Sequence, residues 1–336
     1  TILETRIEAF LAASQACGGK LPVPLKYCGA DTTGRWSGEQ YNMQNLPRID
    51  TKKPRPSDAL RMSVRAPKGH SVVVADLSGI ELRVNMFLWK VPYAMELFKS
   101  NPGKADLYRY FAAHDLYNIA EDEVTKTQRQ VGKVSHLGLA FGAGAATFQK
   151  VAKLMGGVEM DLEESNRVVS TYRAAHSEIA QGWRTFQEAL PDIKQGVSRT
   201  IDPWGMCEIE HEAVRLPSGR RIHYPDLHRR VENGKHEWWY GNGRTSARIY
   251  AGKGVENMVQ ALARDVIADN AVAVRQATGL EPSLMVHDEL VYVVPTSDAQ
   301  DMLGLVQSTM RTPPKWWPEL VTWSEGDIAD CYGEAK

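Results

Sequence analysis

An α+β fold is expected from three features of this 336-residue chain. Short apolar runs read as strands: Ser71 to Ala75 (Ser-Val-Val-Val-Ala), Leu284-Met285-Val286, and Leu290 to Val294. The last two are close enough in sequence to form a hairpin, which makes an antiparallel sheet the natural arrangement. Between them lie long segments with helical spacing. The clearest is Tyr250 to Thr278, with Val255, Val259, Leu262 and Val266 on one face and Gly279 as its stop.

Taken in order, the chain opens with a helical stripe, Ile2, Leu3, Ile7, Phe10 and Leu11, ended by Gly18-Gly19. A chain that begins with Thr inside an amphipathic helix reads as a piece of something longer. Strands and loops follow from Gly29 to Trp89, closing with a helix that buries Ile80, Val84, Phe87 and Leu88. Tyr93 to about Trp204 is expected to be mostly helical, including the stretch from Leu162 to Leu190. Pro203-Trp204-Gly205 and Gly219 punctuate a β-rich excursion that runs to Gly243. No internal repeat or low-complexity segment interrupts this plan.

Composition narrows the class. Cys17, Cys28, Cys207 and Cys331 show no Cys-x-x-Cys spacing, so reduced thiols in a cytosol fit better than disulfides or a zinc site. No apolar run approaches a membrane span, and residues 1–10 form neither a signal sequence nor a lipidation site, so a cytoplasmic protein is expected. The net charge of −1 argues mildly against a nucleic-acid partner. Its distribution argues the other way. Arg48, Lys52, Lys53, Arg55, Arg61, Arg65 and Lys68 form one basic run, and Arg215, Arg220, Arg221, Arg229 and Arg230 form another. Charge runs are usually solvated faces, so these permit a duplex-binding surface without requiring one.

The chemistry concentrates in three segments. Asp76-Leu77-Ser78-Gly79-Ile80-Glu81-Leu82-Arg83 follows the first strand, and His287-Asp288-Glu289 forms the tip of the hairpin. Each delivers a carboxylate at a strand end. Hard oxygen ligands side by side suit Mg²⁺, which takes one or two carboxylates and fills its other positions with water and substrate phosphates. Two such ions about 3.5 to 4 Å apart can stabilise both oxygens of an in-line phosphoryl displacement. A lone Asp after a strand is more often a cap or turn residue, so the third segment matters. Arg129, Lys133, Leu137 and Phe141 recur at intervals of four, along one face of a helix. Two cations, an aliphatic and an aromatic ring in that order match the phosphates, sugar and base of a nucleoside triphosphate. In an isolated helix the same residues would read as solvated cations and core.

Together these segments resemble motifs A, B and C of the family A DNA polymerases, and most closely the bacteriophage members. Thr33-Gly34-Arg35-Trp36-Ser37 with Asn42-Met43-Gln44-Asn45-Leu46-Pro47-Arg48 resembles the stretch before motif A. Val255 to Asp265 resembles the helix before motif C, and Arg220-Arg221-Ile222-His223-Tyr224-Pro225 and the tail from Pro313 to Gly333 also fit. The resemblance implies a right-hand polymerase with an antiparallel palm and mostly helical fingers, the thumb and proofreading exonuclease lying outside this chain. The implied portions are 1–28, the helix after the thumb; 29–92, palm with motif A; 93–245, fingers; and 246–336, palm with motif C.

Function and roles follow from the same resemblance. The chain would add deoxynucleoside triphosphates to a primer 3′ end on a DNA template, in phage replication. Two Mg²⁺ ions, with Mn²⁺ as a substitute, would sit on Asp76, Asp288 and the Leu77 carbonyl. Arg129 and Lys133 would clamp phosphates, Lys133 counting as catalytic, with Leu137 at the sugar, Phe141 at the base and Glu81 as steric gate against a ribose 2′-hydroxyl. Arg35, Gln260, His287, Glu289, Asn42 and Gln44 would serve primer–template DNA, Glu289 being also a lesser carboxylate near the metals. Glu256, Gln260 and Arg264, four apart on one face of the helix before motif C, suit reading the minor-groove edge of a base pair. Three positions depart from the family pattern. Leu137 stands where Phe or Tyr is usual, Phe141 where Tyr is usual, and Tyr108 near a usual His. Two other readings stay open: a single-subunit RNA-polymerase-like enzyme, which Glu81 and Glu289 disfavour, and a non-catalytic nucleic-acid-binding fragment.

Overall fold

The computed structural model describes residues 2–47, 49, 55–232 and 234–335. Arg48, Lys52 and Lys53 of the first basic run lie outside the described residues. Helix α1 (Ile2–Ala16) precedes two short paired strands, β1 (Leu25–Lys26) and β2 (Ser37–Gly38), then α2 (Asp58–Met62) and β3 (His70–Leu77). The α-helices α3 (Ile80–Leu88), α4 (Pro92–Ser100), α5 (Leu107–Phe111), α6 (Lys126–Leu139), α7 (Ala145–Gly156), α8 (Leu162–Ala175) and α9 (Ser177–Gln195) follow. The β-rich excursion holds β4 (Glu208–Glu210), β5 (Ala213–Arg215), β6 (Arg221–His223), β7 (His228–Glu232), β8 (Lys235–Tyr240) and β9 (Ala247–Ile249). Helix α10 (Ala251–Thr278) leads to β10 (Leu284–Val286), β11 (Glu289–Pro295), α11 (Ala299–Arg311) and β12 (Ser324–Ala329). The α+β expectation holds, with every named sheet antiparallel.

The chain divides into two compact units, Thr1–Ile80 with Ala263–Lys336, and Glu81–Leu262. Residues 81–92 and 246–262 therefore group with the helical unit.

The first unit is built on a four-stranded sheet in the order β10-β11-β3-β12. Strand β3 is central and covered on both faces, which is why it reads as a continuous apolar run rather than an alternating one. Val72 and Val74 face Phe10, Tyr41, Met43, Leu60, Val291 and Tyr332. Val73, Ala75 and Leu77, of opposite parity, are equally buried. Each such valine contributes roughly 1.5–3 kcal/mol by burial. In α10 the expected inward residues Val255, Val259, Leu262 and Val266 are all fully buried, and Gly279 at φ 73° ends the helix.

The second unit packs α6 and α8 around Phe111, Val131, Val134, Phe148, Val168 and Tyr172. A capping box starts α6: Thr125 Oγ1 accepts from the Gln128 N–H, and the Gln128 side chain accepts from the Thr125 N–H. Gly132 lets this helix lie directly on α5, since a Cβ there would stand 2.1 Å from the Tyr108 carbonyl oxygen. The helix ends at Leu139, so Phe141 is not on its face as the four-residue spacing suggested. The Trp183 indole donates to the Ala140 carbonyl at 3.1 Å, and Gly142 at φ 82° turns the chain away. In the second basic run, acids on β4 and β7 stand beside several of the cations. Arg215 pairs with Glu208 and Glu210, Arg221 with Glu210, and Arg230 with Glu232. Arg215, Arg221 and Arg230 are thereby partly neutralised.

Behind α6 sits a buried aromatic group. His136 Nδ1 donates to the Gly132 carbonyl at 3.0 Å, and His176 Nδ1 donates to the Tyr172 carbonyl at 2.9 Å. His176 Nε2 accepts from the Tyr93 hydroxyl at 2.7 Å. Burial lowers the His136 pKa to about 4, and burial with the neighbouring His136 lowers that of His176 to about 3. Both folded values lie below the unfolded 6.5, so the unfolded chain takes up these protons first as pH falls. The associated stability is complete above pH 6.5 and is lost between 6.5 and about 4, up to about 3 kcal/mol for His136. His136→Phe, which keeps ring volume and cannot be protonated, is expected to flatten the fall of melting temperature between pH 7 and 5. Parallel curves for variant and wild type would exclude His136 as a source of acid sensitivity.

Candidate active site

The carboxyl end of β3 is held from both sides by main-chain bonds. On one side the Leu77 N–H donates to the Asp288 carbonyl at 3.0 Å, and on the other the Ser78 N–H donates to the Trp323 carbonyl at 2.9 Å. The first bond ties Asp76-Leu77 to the tip of the β10–β11 hairpin. Its turn is His287-Asp288, and His287 has φ 54°, a left-handed conformation in which Asn, Asp and His are enriched among non-glycine residues and which suits a tight hairpin turn. Backbone strain of this kind persists where the surroundings over-determine it, and it clusters at functional sites. Both Asp76 and Asp288 are half-buried, while His287 is exposed.

Register sets a row of acids across the sheet. Asp76 lies opposite Glu289 on β11 and opposite Glu325 on β12. Directly paired residues share a face, with Cβ atoms about 4.5–5.5 Å apart. Glu289 is only 3% exposed, and its Oε1 accepts from the Tyr332 hydroxyl at 2.5 Å. Glu325 is exposed. Among the described residues, no group of three or more His, Cys, Asp or Glu is arranged to hold a metal by itself. Two hard carboxylates, Asp76 and Asp288, beside the Leu77 main chain fit a Mg²⁺ site that substrate and water complete.

Arg35, Gln44 and His287, three of the residues expected at DNA, line one narrow cleft with Trp36, Arg264 and Met285. Gln44 is mostly buried, its Nε2 donating to the Met285 carbonyl at 3.4 Å. Asn42, at φ 36°, shapes the turn before it by accepting the Gln44 N–H at 3.1 Å. Arg264 does not extend a polar face from Glu256 and Gln260. Its side chain is 5% exposed, donates to the Gly34 carbonyl at 2.9 Å, and lies 4.2 Å over the Trp36 ring and 5.1 Å over the Tyr27 ring. A guanidinium so enclosed by aromatic faces and a carbonyl holds the loop before β2 in place.

The other expected site residues belong to the second unit. Glu81 is half-buried in the first turn of α3. Arg129 pairs with Asp106 at 2.6 Å and stands 5.6 Å over the Tyr108 ring. Lys133 is half-buried with no hydrogen-bond or ion-pair partner among the described residues, and Leu137 is 44% exposed instead of serving as core. Phe141 occupies the turn after α6. Gln260 donates to Glu256 Oε1 at 3.3 Å, and Glu256 also pairs with Lys253 at 3.1 Å.

Sequence reasoning missed Tyr332, because no local pattern links it to Glu289, 43 positions away. It also missed Arg61, whose guanidinium lies 4.0 Å over the Tyr332 ring. No helix among the described residues is long and apolar enough to cross a membrane.

Known proteins bear on this arrangement. A DNA polymerase from Bacillus phage SP02 is 28% identical over 375 aligned positions, covering 98% of this chain and 55% of that protein. DNA polymerase I of Aquifex aeolicus is 36% identical over 147 positions, covering 44% of this chain and 23% of its own length. Among solved structures, the POL domain of Pol1 from M. smegmatis, in complex with DNA primer-template and dNTP, superposes with a TM-score of 0.70 at 20% identity. It matches 99% of this chain and 51% of that one, a likeness of fold. The chain thus spans about half the length of the phage relative and of the solved protein. Residues 23–320 match the family model for DNA polymerase family A, and the chain belongs to that family.

Proposed function

We propose that this chain performs template-directed DNA synthesis, joining a primer 3′-oxygen to the α-phosphorus of a deoxynucleoside triphosphate with release of pyrophosphate, in phage DNA replication. The observation that carries this is the Leu77–Asp288 main-chain bond, which sets Asp76 and Asp288 beside each other at one end of a family A sheet. Asp76, Asp288 and the Leu77 carbonyl would hold two Mg²⁺ ions, for which Mn²⁺ can substitute. When bound, such ions act as Lewis acids that stabilise the attacking and leaving oxygens.

The chain's own residues do the rest. Lys133 is half-buried without a partner among the described residues and is therefore available to triphosphate oxygens. Arg129 must exchange Asp106 for phosphate to join it. Leu137 presents an apolar surface to the sugar, and Glu81 fills space beside C2′. Phe141, in the turn after α6, supports the base. Arg35, Gln44 and His287 would serve the minor groove and primer strand from the first unit, with Asn42 shaping the turn beside them, and Gln260 would be a DNA contact of the second unit. The palm and fingers portions at 29–92, 93–245 and 246–336 belong to this reading, as does a thumb or exonuclease portion supplied by a longer or separate chain.

Primer extension on a primed DNA template with Mg²⁺ tests it. Incorporation of dNTPs in strong preference to rNTPs is expected. Preferential rNTP incorporation would favour an RNA-polymerase-like activity, and duplex binding without any incorporation would leave a nucleic-acid-binding fragment.

A further inference from the structure

We infer that Tyr332 is a positioning residue that keeps Glu289 out of the metal coordination sphere, so that Asp76 and Asp288 alone supply the protein carboxylates. The inference rests on the polymerase reading for its consequence in catalysis, but its geometry stands within the first unit. Glu289 is buried one residue after Asp288 and directly across the ladder from Asp76. Nothing in that register keeps its carboxylate from becoming a third ligand. The buried bond from the Tyr332 hydroxyl to Oε1 at 2.5 Å does.

Tyr332 is itself held firmly. Its N–H donates to the Val64 carbonyl at 2.8 Å, and the adjoining Cys331 bridges Arg65. Arg61, 6% exposed, covers one face of its ring, and the ring is 1% exposed. At Gly333 a Cβ would come within 2.5 Å of Met62 Sδ, so the tail packs closely against α2. The C-terminal segment thereby restrains a side chain at the site. This matters because Mg²⁺ needs positions left open for substrate phosphates, and a third carboxylate would fill one of them.

The test uses the full chain and its Tyr332→Phe, Glu289→Gln and doubly substituted variants, with Mn²⁺ binding followed by electron paramagnetic resonance and primer extension measured in parallel. Tyr332→Phe is expected to tighten Mn²⁺ binding about five- to tenfold while lowering kcat by a similar factor, with KM for dNTP changed less. In the Glu289→Gln background the same substitution should leave Mn²⁺ affinity unchanged, because the group it releases can no longer coordinate strongly. Unchanged or weaker Mn²⁺ binding in Tyr332→Phe would overturn the inference. So would an equal effect with and without Glu289, which would mark Tyr332 as merely structural. If the wild-type chain extends no primer, the polymerase reading fails while the Mn²⁺ titration still decides the role of Tyr332.

Discussion

Replacing Asp76 or Asp288 by Ala is expected to abolish Mg²⁺-dependent primer extension, lowering the rate by at least about three orders of magnitude. On the proposed reading each carboxylate would anchor both ions, and metal stabilisation of developing charge is worth several kcal/mol. Neither substitution should disturb the fold. The bond that joins the two segments runs between main-chain atoms of Leu77 and Asp288 and survives loss of either side chain. Duplex binding should also persist, since the basic and cleft residues are untouched. The measurement is single-turnover incorporation alongside duplex affinity for wild type and both variants. Extension at near wild-type rate by either variant would refute the two-metal assignment.

Leu137→Tyr is expected to erase much of the preference for dNTP over dideoxynucleotide. In the family resemblance a Tyr at this position permits ready use of dideoxynucleotides, its hydroxyl supplying the polar contact to phosphate that an absent 3′-hydroxyl would otherwise make. Leu137 has no such group. A hydrogen bond to a charged partner is worth roughly 1.5 to 3 kcal/mol, so the native chain should discriminate by about ten- to a hundredfold from this contact. The exposure of Leu137 on α6 makes the larger ring sterically acceptable. Leu137→Phe adds the ring without the hydroxyl and should change the ratio less. Incorporation efficiencies for dTTP and ddTTP in the three proteins decide the matter. Equal shifts by Tyr and Phe would refute the hydroxyl argument, and no shift in either would remove Leu137 from the sugar.

Much of the fold was legible because it is written in short-range pattern. Ser71 to Ala75 is a continuous apolar run because β3 is covered on both faces, and the hairpin with its His-Asp turn lies between two such runs. Gly279 stops α10 through a contact within one helical turn. The end of α6 was not legible in the same way. Four-residue spacing carried the face on to Phe141, but the helix ends at Leu139, Gly142 turns the chain away, and the Trp183 indole, more than forty positions further along, takes the Ala140 carbonyl.

Arg264 fails for a related reason. Spacing alone placed Arg264 with Glu256 and Gln260, whereas the Gly34 carbonyl and the rings of Trp36 and Tyr27, 230 or so positions away, draw it inward. The cations of β5 and β6 read as a solvated face that permits a duplex, and strand pairing sets Glu208 and Glu210 against them.

The sequence by itself determined the secondary structure around the candidate site and pointed to Asp76 and Asp288, because periodicity and turn residues act over a few positions and leave their signature there. The tertiary structure alone decided which groups surround those carboxylates. Strand register put Glu289 and Glu325 beside Asp76, and the fold of the tail brought Tyr332 to Glu289. Such contacts depend on how distant segments align, and a one-residue change of register turns a strand's side chains to the opposite face without altering any local pattern.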